Sequence, residues 1–321
     1  MPTRKLSGFT IVELTVSLAI MSLLALNTMP ALAKYREAAR RTKCKDNLMQ
    51  YGLSFFNYHD VHNRLPPGYV VRNWDAPSQQ GFGWGFSLLP YLDQAQLYTV
   101  LQYEGGLEYE GGGLDESTKN PAKKKAMRTS FALTRCPSDN LPAENPFRGG
   151  WPTSNYSGNA GALPFPRLAS GSISDFWPGQ VAANHPTGSR RDDRSLTAPH
   201  PCNGIFAANS SVSFDQITDG TSSTLLMSER GKSSMGGIWL GVTAATHEND
   251  AITEVSHLSR PNKSLKSFSS QHHGGIHIAL CDGSVRWMND NIDSSAGAIP
   301  KEYGVLQKLG DRSDGRVLDD F

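Results

Sequence analysis

Cysteine is scarce and poorly placed for metal or redox work. The four residues, Cys44, Cys136, Cys202 and Cys281, form no Cys-x-x-Cys pair, which leaves zinc-ribbon and thioredoxin-like readings without support. Excess charge of one sign is missing as well. Lys and Arg total 31 against 30 Asp and Glu, so nothing argues for a nucleic-acid partner. No paired carboxylates stand out, because the acids are scattered among turn-like segments. A Cys–His nucleophile on Cys281 or Cys202 lacks an adjacent orienting group. Phe82, Trp84, Phe86 and Trp151 read as core aromatics rather than as the lining of a sugar groove. The chain is therefore read as no enzyme and as needing no cofactor. With 38% hydrophobic residues, 31 Gly and 19 Pro, it describes a loop-rich domain containing β-structure.

One long apolar run stands out against this background. From Phe9 to Ala33 the single ionisable residue is Glu13. Roughly 25 residues at about 1.5 Å each exceed a hydrocarbon core of about 30 Å, so a transmembrane helix over 9–33 is expected. A charge in such a segment costs on the order of 2.5–3.5 kcal/mol, which marks Glu13 as functional. The preceding stretch carries Arg4 and Lys5 but no apolar h-region of its own, unlike an ordinary secretory peptide. Ala31-Leu32-Ala33 does resemble a secretory cleavage site. A cut there would release a soluble domain and leave Glu13 without a role. Lys34, Arg36, Arg40, Arg41, Lys43 and Lys45 outnumber the leading basic residues, so loop charge alone would keep the following chain in the cytoplasm.

Beyond the apolar run the helix is expected to continue. Cys44, Leu48, Tyr51 and Phe55 recur at spacings of four, three and four and share a face. Asn63 and Leu65-Pro66-Pro67-Gly68 end it near residue 62. A shorter helix is expected within 81–101, a surface loop over 104–125, and a strand from Phe131 to Cys136. Residues 138–200 are dense in Pro, Gly, Ser and Asn and read as a variable exposed loop region. Strand candidates follow at Gly204–Ala207, Thr224–Met227 and Ile238–Val242, within a C-terminal sheet over 204–288. The clearest hairpin alternates Ile276, Ile278 and Leu280, then turns at Asp282-Gly283 into Val285 and Trp287.

Gly8-Phe9 followed by Glu13 resembles the processing site of type IV prepilins and type II secretion pseudopilins. The resemblance implies that a prepilin peptidase cuts between Gly8 and Phe9 on the cytoplasmic side and that Phe9 is then N-methylated. It also implies that Glu13 is the assembly carboxylate, pairing with the terminal amine of a neighbouring pilin-like subunit. That processing site overrides the loop-charge argument. Residues 1–8 become a leader, 9–33 a single inner-membrane span, and 34–321 an exported globular domain in the periplasm or at the cell surface.

Further signatures narrow the resemblance. Cys44-Lys-Asp-Asn-Leu, Phe56-Asn-Tyr-His-Asp, Cys136-Pro-Ser-Asp and Ile217-Thr-Asp-Gly-Thr with Glu229 occur in that order. His272 then precedes Asp282-Gly283 with nine residues between. Together they resemble the bacterial prepilin-like family catalogued as domain of unknown function 1559, with its C-terminal His-x9-Asp-Gly motif. The resemblance implies an α+β, pilin-like fold: a long N-terminal helix, part membrane and part amphipathic, packed on an antiparallel sheet with long loops. It further suggests a disulfide between Cys44 and Cys136, although Cys44 equally fits the buried helix face as a small apolar residue.

Two metal readings follow from the residues. His277 and Cys281 share a strand face but stand about 13 Å apart, too far to grip one zinc ion. A Ca2+ site drawn from Asp219, Glu229 and Asp282 with loop carbonyls is chemically easier. A purely structural role for Asp282-Gly283 as a tight turn outweighs both. The expected function is that of a pilin-like or pseudopilin-like structural subunit. The alternative is a membrane-anchored exported binding domain that does not polymerise.

Overall fold

The computed structural model describes residues 10–70, 81–103, 120–162, 203–243, 250–256, 258–295 and 302–318. The chain divides into two compact units, Met1–Thr42 and Lys43–Phe321. Helix α1 (Ile11–His62) contributes to both.

Within the first unit, Thr10 and Glu13 close the start of α1. The Thr10 N–H and hydroxyl both donate to Glu13 Oε2 at 2.9 Å, and the Glu13 N–H donates to Thr10 Oγ1 at 3.3 Å. This is a capping box, which satisfies helix-end donors reciprocally. The hydroxyls of Thr15, Ser17 and Ser22 donate to carbonyls of the preceding turn. The described large apolar side chains between Ile11 and Leu32 stay open to solvent, Ile11 at 81% and Leu18 at 52%. Among the described residues no helix is long and apolar enough to cross a membrane. The span expected over 9–33 includes positions outside the described residues, Phe9 among them.

The second unit follows from the face shared by Cys44, Leu48, Tyr51 and Phe55, all fully buried. Asn63, at φ 55°, stops α1 in the left-handed conformation that asparagine tolerates, and Pro66-Pro67 prevents its resumption. The chain continues through β1 (Gly81–Phe82), α2 (Trp84–Leu88), α3 (Ala95–Tyr103) and α4 (Pro121–Met127). Strands β2 (Glu144–Asn145), β3 (Trp151–Ser154), β4 (Tyr156–Gly161), β5 (Leu225–Glu229) and β6 (Gly237–Ile238) come next. They are followed by β7 (Gly241–Val242), β8 (Ile252–Glu254), β9 (Gly275–Leu280), β10 (Val285–Asn289) and a short helix, Val305–Gly310.

Five strands form the central sheet in the order β10-β9-β5-β4-β8. The β4–β8 pair is parallel and the others antiparallel, so the sheet is mixed rather than antiparallel throughout. On β9 both faces are buried. Ala279 and Cys281 join the cluster under α1, while Ile276, Ile278 and Leu280 pack with Val255, Leu306 and Leu309. Tyr51 meets Trp84 edge-on at 5.4 Å, and Phe55 lies 5.4 Å from Phe206.

Several expectations fail for identifiable reasons. Residues 131–136 contain a 3-10 turn, Ala132–Thr134, not a strand. Gly204–Ala207 is a bend whose Ile205 and Phe206 N–H groups donate to Asn159 O. Pro121–Met127 is helical inside the expected loop, because Asn120 Oδ1 accepts from the Ala122 and Lys123 N–H groups and Pro121 suits the first turn. The largest correction concerns 138–162, read as exposed loop. It supplies β2, β3 and β4, and β4 is buried along its whole length. Its polar side chains bond inside the sheet: Asn159 Nδ2 donates to Leu225 O and Gly310 O, both at 2.8 Å. Residues 163–200 lie outside the described residues.

Candidate functional site

The motif His272-x9-Asp282-Gly283 brackets β9, and its two ends do different work. At the far end, Asp282-Gly283 turns the chain into β10. The Gly283 N–H donates to Leu280 O, the Ser284 N–H donates to Asp282 Oδ1, and Gly283 adopts φ 81°. A side chain at Gly283 would come within 2.7 Å of the Phe56 ring, and one at Gly52 within 3.4 Å of Gly283 Cα. The turn is thus fitted against α1.

At the near end, His272 enters a buried polar cluster. Glu229, the last residue of β5, points toward β9 and is 1% exposed. His277 holds it twice: its backbone N–H donates to Glu229 Oε2 at 2.8 Å, and its Nδ1 stands 3.3 Å from Oε1. His272 Nε2 lies 3.4 Å from the same Oε1 and 3.7 Å from Cys136 Sγ. Trp287, paired with His277 across β9 and β10, meets the His277 ring edge-on at 4.9 Å. Burial alone would raise the Glu229 carboxyl. Hydrogen bonds from His272 and His277, with the charges of both rings, instead hold it down at about 2.

Cys136 is bonded to Cys44, with Cα atoms 5.1 Å apart. The bond ties α1 to the segment before β2. Its surroundings are closely satisfied. The Cys136 N–H donates to Asn155 Oδ1 at 3.0 Å, and Tyr156 Oη donates to Cys44 O at 3.4 Å. Asn47 Nδ2 donates to Arg135 O and to Tyr156 Oη. Burial, followed by the Glu229 charge, pushes the Tyr156 phenol up, so it remains a neutral donor.

The remaining candidates are dispersed. Gly8, Phe9 and Cys202 lie outside the described residues. Glu13 is engaged by Thr10 within its own helix, a capping role legible in Thr10-x-x-Glu13. The three calcium candidates are not brought together. Glu229 belongs to the histidines, Asp282 to its turn, and Asp219 accepts from the Asp314 and Gly315 N–H groups. Cys281 is a buried free thiol pushed well up by burial and then by Asp282, which makes it a poor nucleophile. Sequence reasoning missed the contact between Glu229 and His272. No spacing rule reveals it, because the two residues come from different elements.

A family model described as SBP_bac_10, protein of unknown function (DUF1559), matches residues 33–295. No curated protein and no solved structure matches the chain.

Proposed function

The chain belongs to the DUF1559 family of proteins of unknown function, and from that premise we propose that it is a pilin-like or pseudopilin-like structural subunit. In this reading a prepilin peptidase cuts between Gly8 and Phe9, Phe9 is N-methylated, and the apolar part of α1 anchors the chain in the inner membrane. The unit Lys43–Phe321 is exported to the periplasm or cell surface, and subunits assemble into a filament or secretion pseudopilus. One observation carries the proposal: the uncovered apolar surface of α1. Val12, Leu14, Val16, Ile20, Met21, Leu23 and Leu24 are all at least half exposed. An apolar helix surface of this extent is buried in its working state, here by lipid before assembly and by neighbouring helices after it.

A second reading has its own observation. Because Thr10 already satisfies the Glu13 carboxylate, Glu13 does not require a neighbour's amine. That favours an anchored binding domain that never polymerises. The two readings part at Glu13→Gln. A filament subunit keeps its cleavage and insertion but loses protomer crosslinking and filament recovery, because a neutral amide cannot compensate an amine in hydrocarbon. Unchanged crosslinking and recovery establish the anchored domain instead. Mass spectrometry of the mature chain is expected to find methylated Phe9 at the N-terminus, and Gly8→Arg to block the cut. An intact Met1 or an N-terminus near Lys34 overturns both readings.

A further inference from the structure

We propose that Cys44, Cys136, His272 and Glu229 form a divalent-metal site, fitted to Zn2+, when the Cys44–Cys136 disulfide is reduced. The four ligand atoms lie within 4.8 Å of one another, and all four residues are buried. Tetrahedral zinc with bonds of about 2.0–2.3 Å has ligand-to-ligand edges of roughly 3.3–3.8 Å. Two such edges already exist: 3.4 Å from His272 Nε2 to Glu229 Oε1, and 3.7 Å from His272 Nε2 to Cys136 Sγ. The donor set of two sulfurs, one imidazole and one carboxylate is one that zinc accepts.

The surroundings meet a further requirement of a metal centre. A ligating carboxylate is normally oriented by outer hydrogen bonds, and His277 supplies them through its N–H and its ring.

The chemistry balances. A dithiol reductant passes two electrons and two protons to the sulfurs, breaking the Cys44–Cys136 bond and closing its own disulfide. Zn2+ then displaces the two thiol protons and the His272 Nε2 proton to solvent and takes two thiolates, one carboxylate and a neutral imidazole. The same two elements, α1 and the segment before β2, are clasped covalently in the oxidised chain and through the metal in the reduced one. This inference stands apart from the pilin reading and survives its failure.

The test uses the full chain carrying Cys202→Ser and Cys281→Ser, so that Cys44 and Cys136 are the remaining thiols. It is reduced with dithiothreitol, freed of the dithiol without oxygen, and titrated with Co2+. The reduced chain is expected to bind one equivalent, showing sulfur-to-cobalt charge transfer and the visible bands of a tetrahedral ion, whereas the oxidised chain shows neither. His272→Ala should weaken binding at least about tenfold, given that even outer partners of metal ligands matter by 10–100-fold. His272→Cys should restore it with a stronger sulfur-to-cobalt band. Zn2+ should raise the melting temperature of the reduced chain alone. No stoichiometric uptake, or titrations and spectra unchanged by His272→Ala and Glu229→Gln, overturns the proposal. So does a reduced chain that loses its near-ultraviolet circular dichroism and does not regain it with zinc.

Discussion

Glu229 has its charge stabilised by two histidines that would otherwise face one another in the interior. Held at about 2 against an ordinary value of 4.5, it stays ionised in the fold at pH values where the unfolded chain is already protonated. Its stabilisation is complete above about pH 4.5 and is lost as pH falls toward 2, a change of roughly 3 kcal/mol. Urea midpoints of the oxidised chain across this range are expected to fall steeply for wild type and far less for Glu229→Gln. An equally steep fall in the variant assigns the acid sensitivity elsewhere. Gly158 gives a second single-residue prediction. A Cβ there would lie 2.4 Å from Phe206 Cδ2 in a packed interior. Gly158→Ala should destabilise by about 1–3 kcal/mol, and Phe206→Leu in the same chain should recover part of the loss. Strictly additive denaturation energies would refute that coupling.

Strand β4 holds its neighbours partly through side-chain hydrogen bonds. Asn159→Ala leaves the Leu225 and Gly310 carbonyls without that donor, and about 1–3 kcal/mol of stability should go with it. Amide exchange should accelerate in β5 and in Val305–Gly310; uniform exchange would place the effect in the unfolded chain. The same strand shows what sequence reasoning can reach. The end of α1 is legible because Asn63 and two prolines act locally, and the β9–β10 hairpin because alternation and Asp-Gly report one turn. Strand β4, Tyr-Ser-Gly-Asn-Ala-Gly, has the composition of a loop. Only its partners, dozens of residues away, turn its hydroxyls and amide into core groups. The Glu229–His272 contact is hidden for the same reason, since it exists only once β5 and β9 pair. The helical face of Cys44, Leu48, Tyr51 and Phe55 needed no such knowledge, because its period is carried by consecutive turns.

At the scale of the whole molecule, exposed apolar surface is concentrated in the first unit and the second has its own core. A chain beginning at Lys43 is expected to be monodisperse without detergent in size-exclusion chromatography, while the full chain should need detergent or assemble. Aggregation of the shorter chain would mean that α1 contributes to the core before Lys43. The disulfide has a mechanical consequence as well. Cys44 is the second residue of that unit, so tension transmitted along α1 reaches a covalent bond almost at once. Load then passes through Cys136 and bypasses the 92-residue separation between the two cysteines. Stretched between its ends, the oxidised molecule should yield a contour shorter by roughly 300 Å than the reduced one. The buried aromatic face of α1 lies within the bypassed loop and is thereby shielded from force, while the strands after Cys136 still carry it.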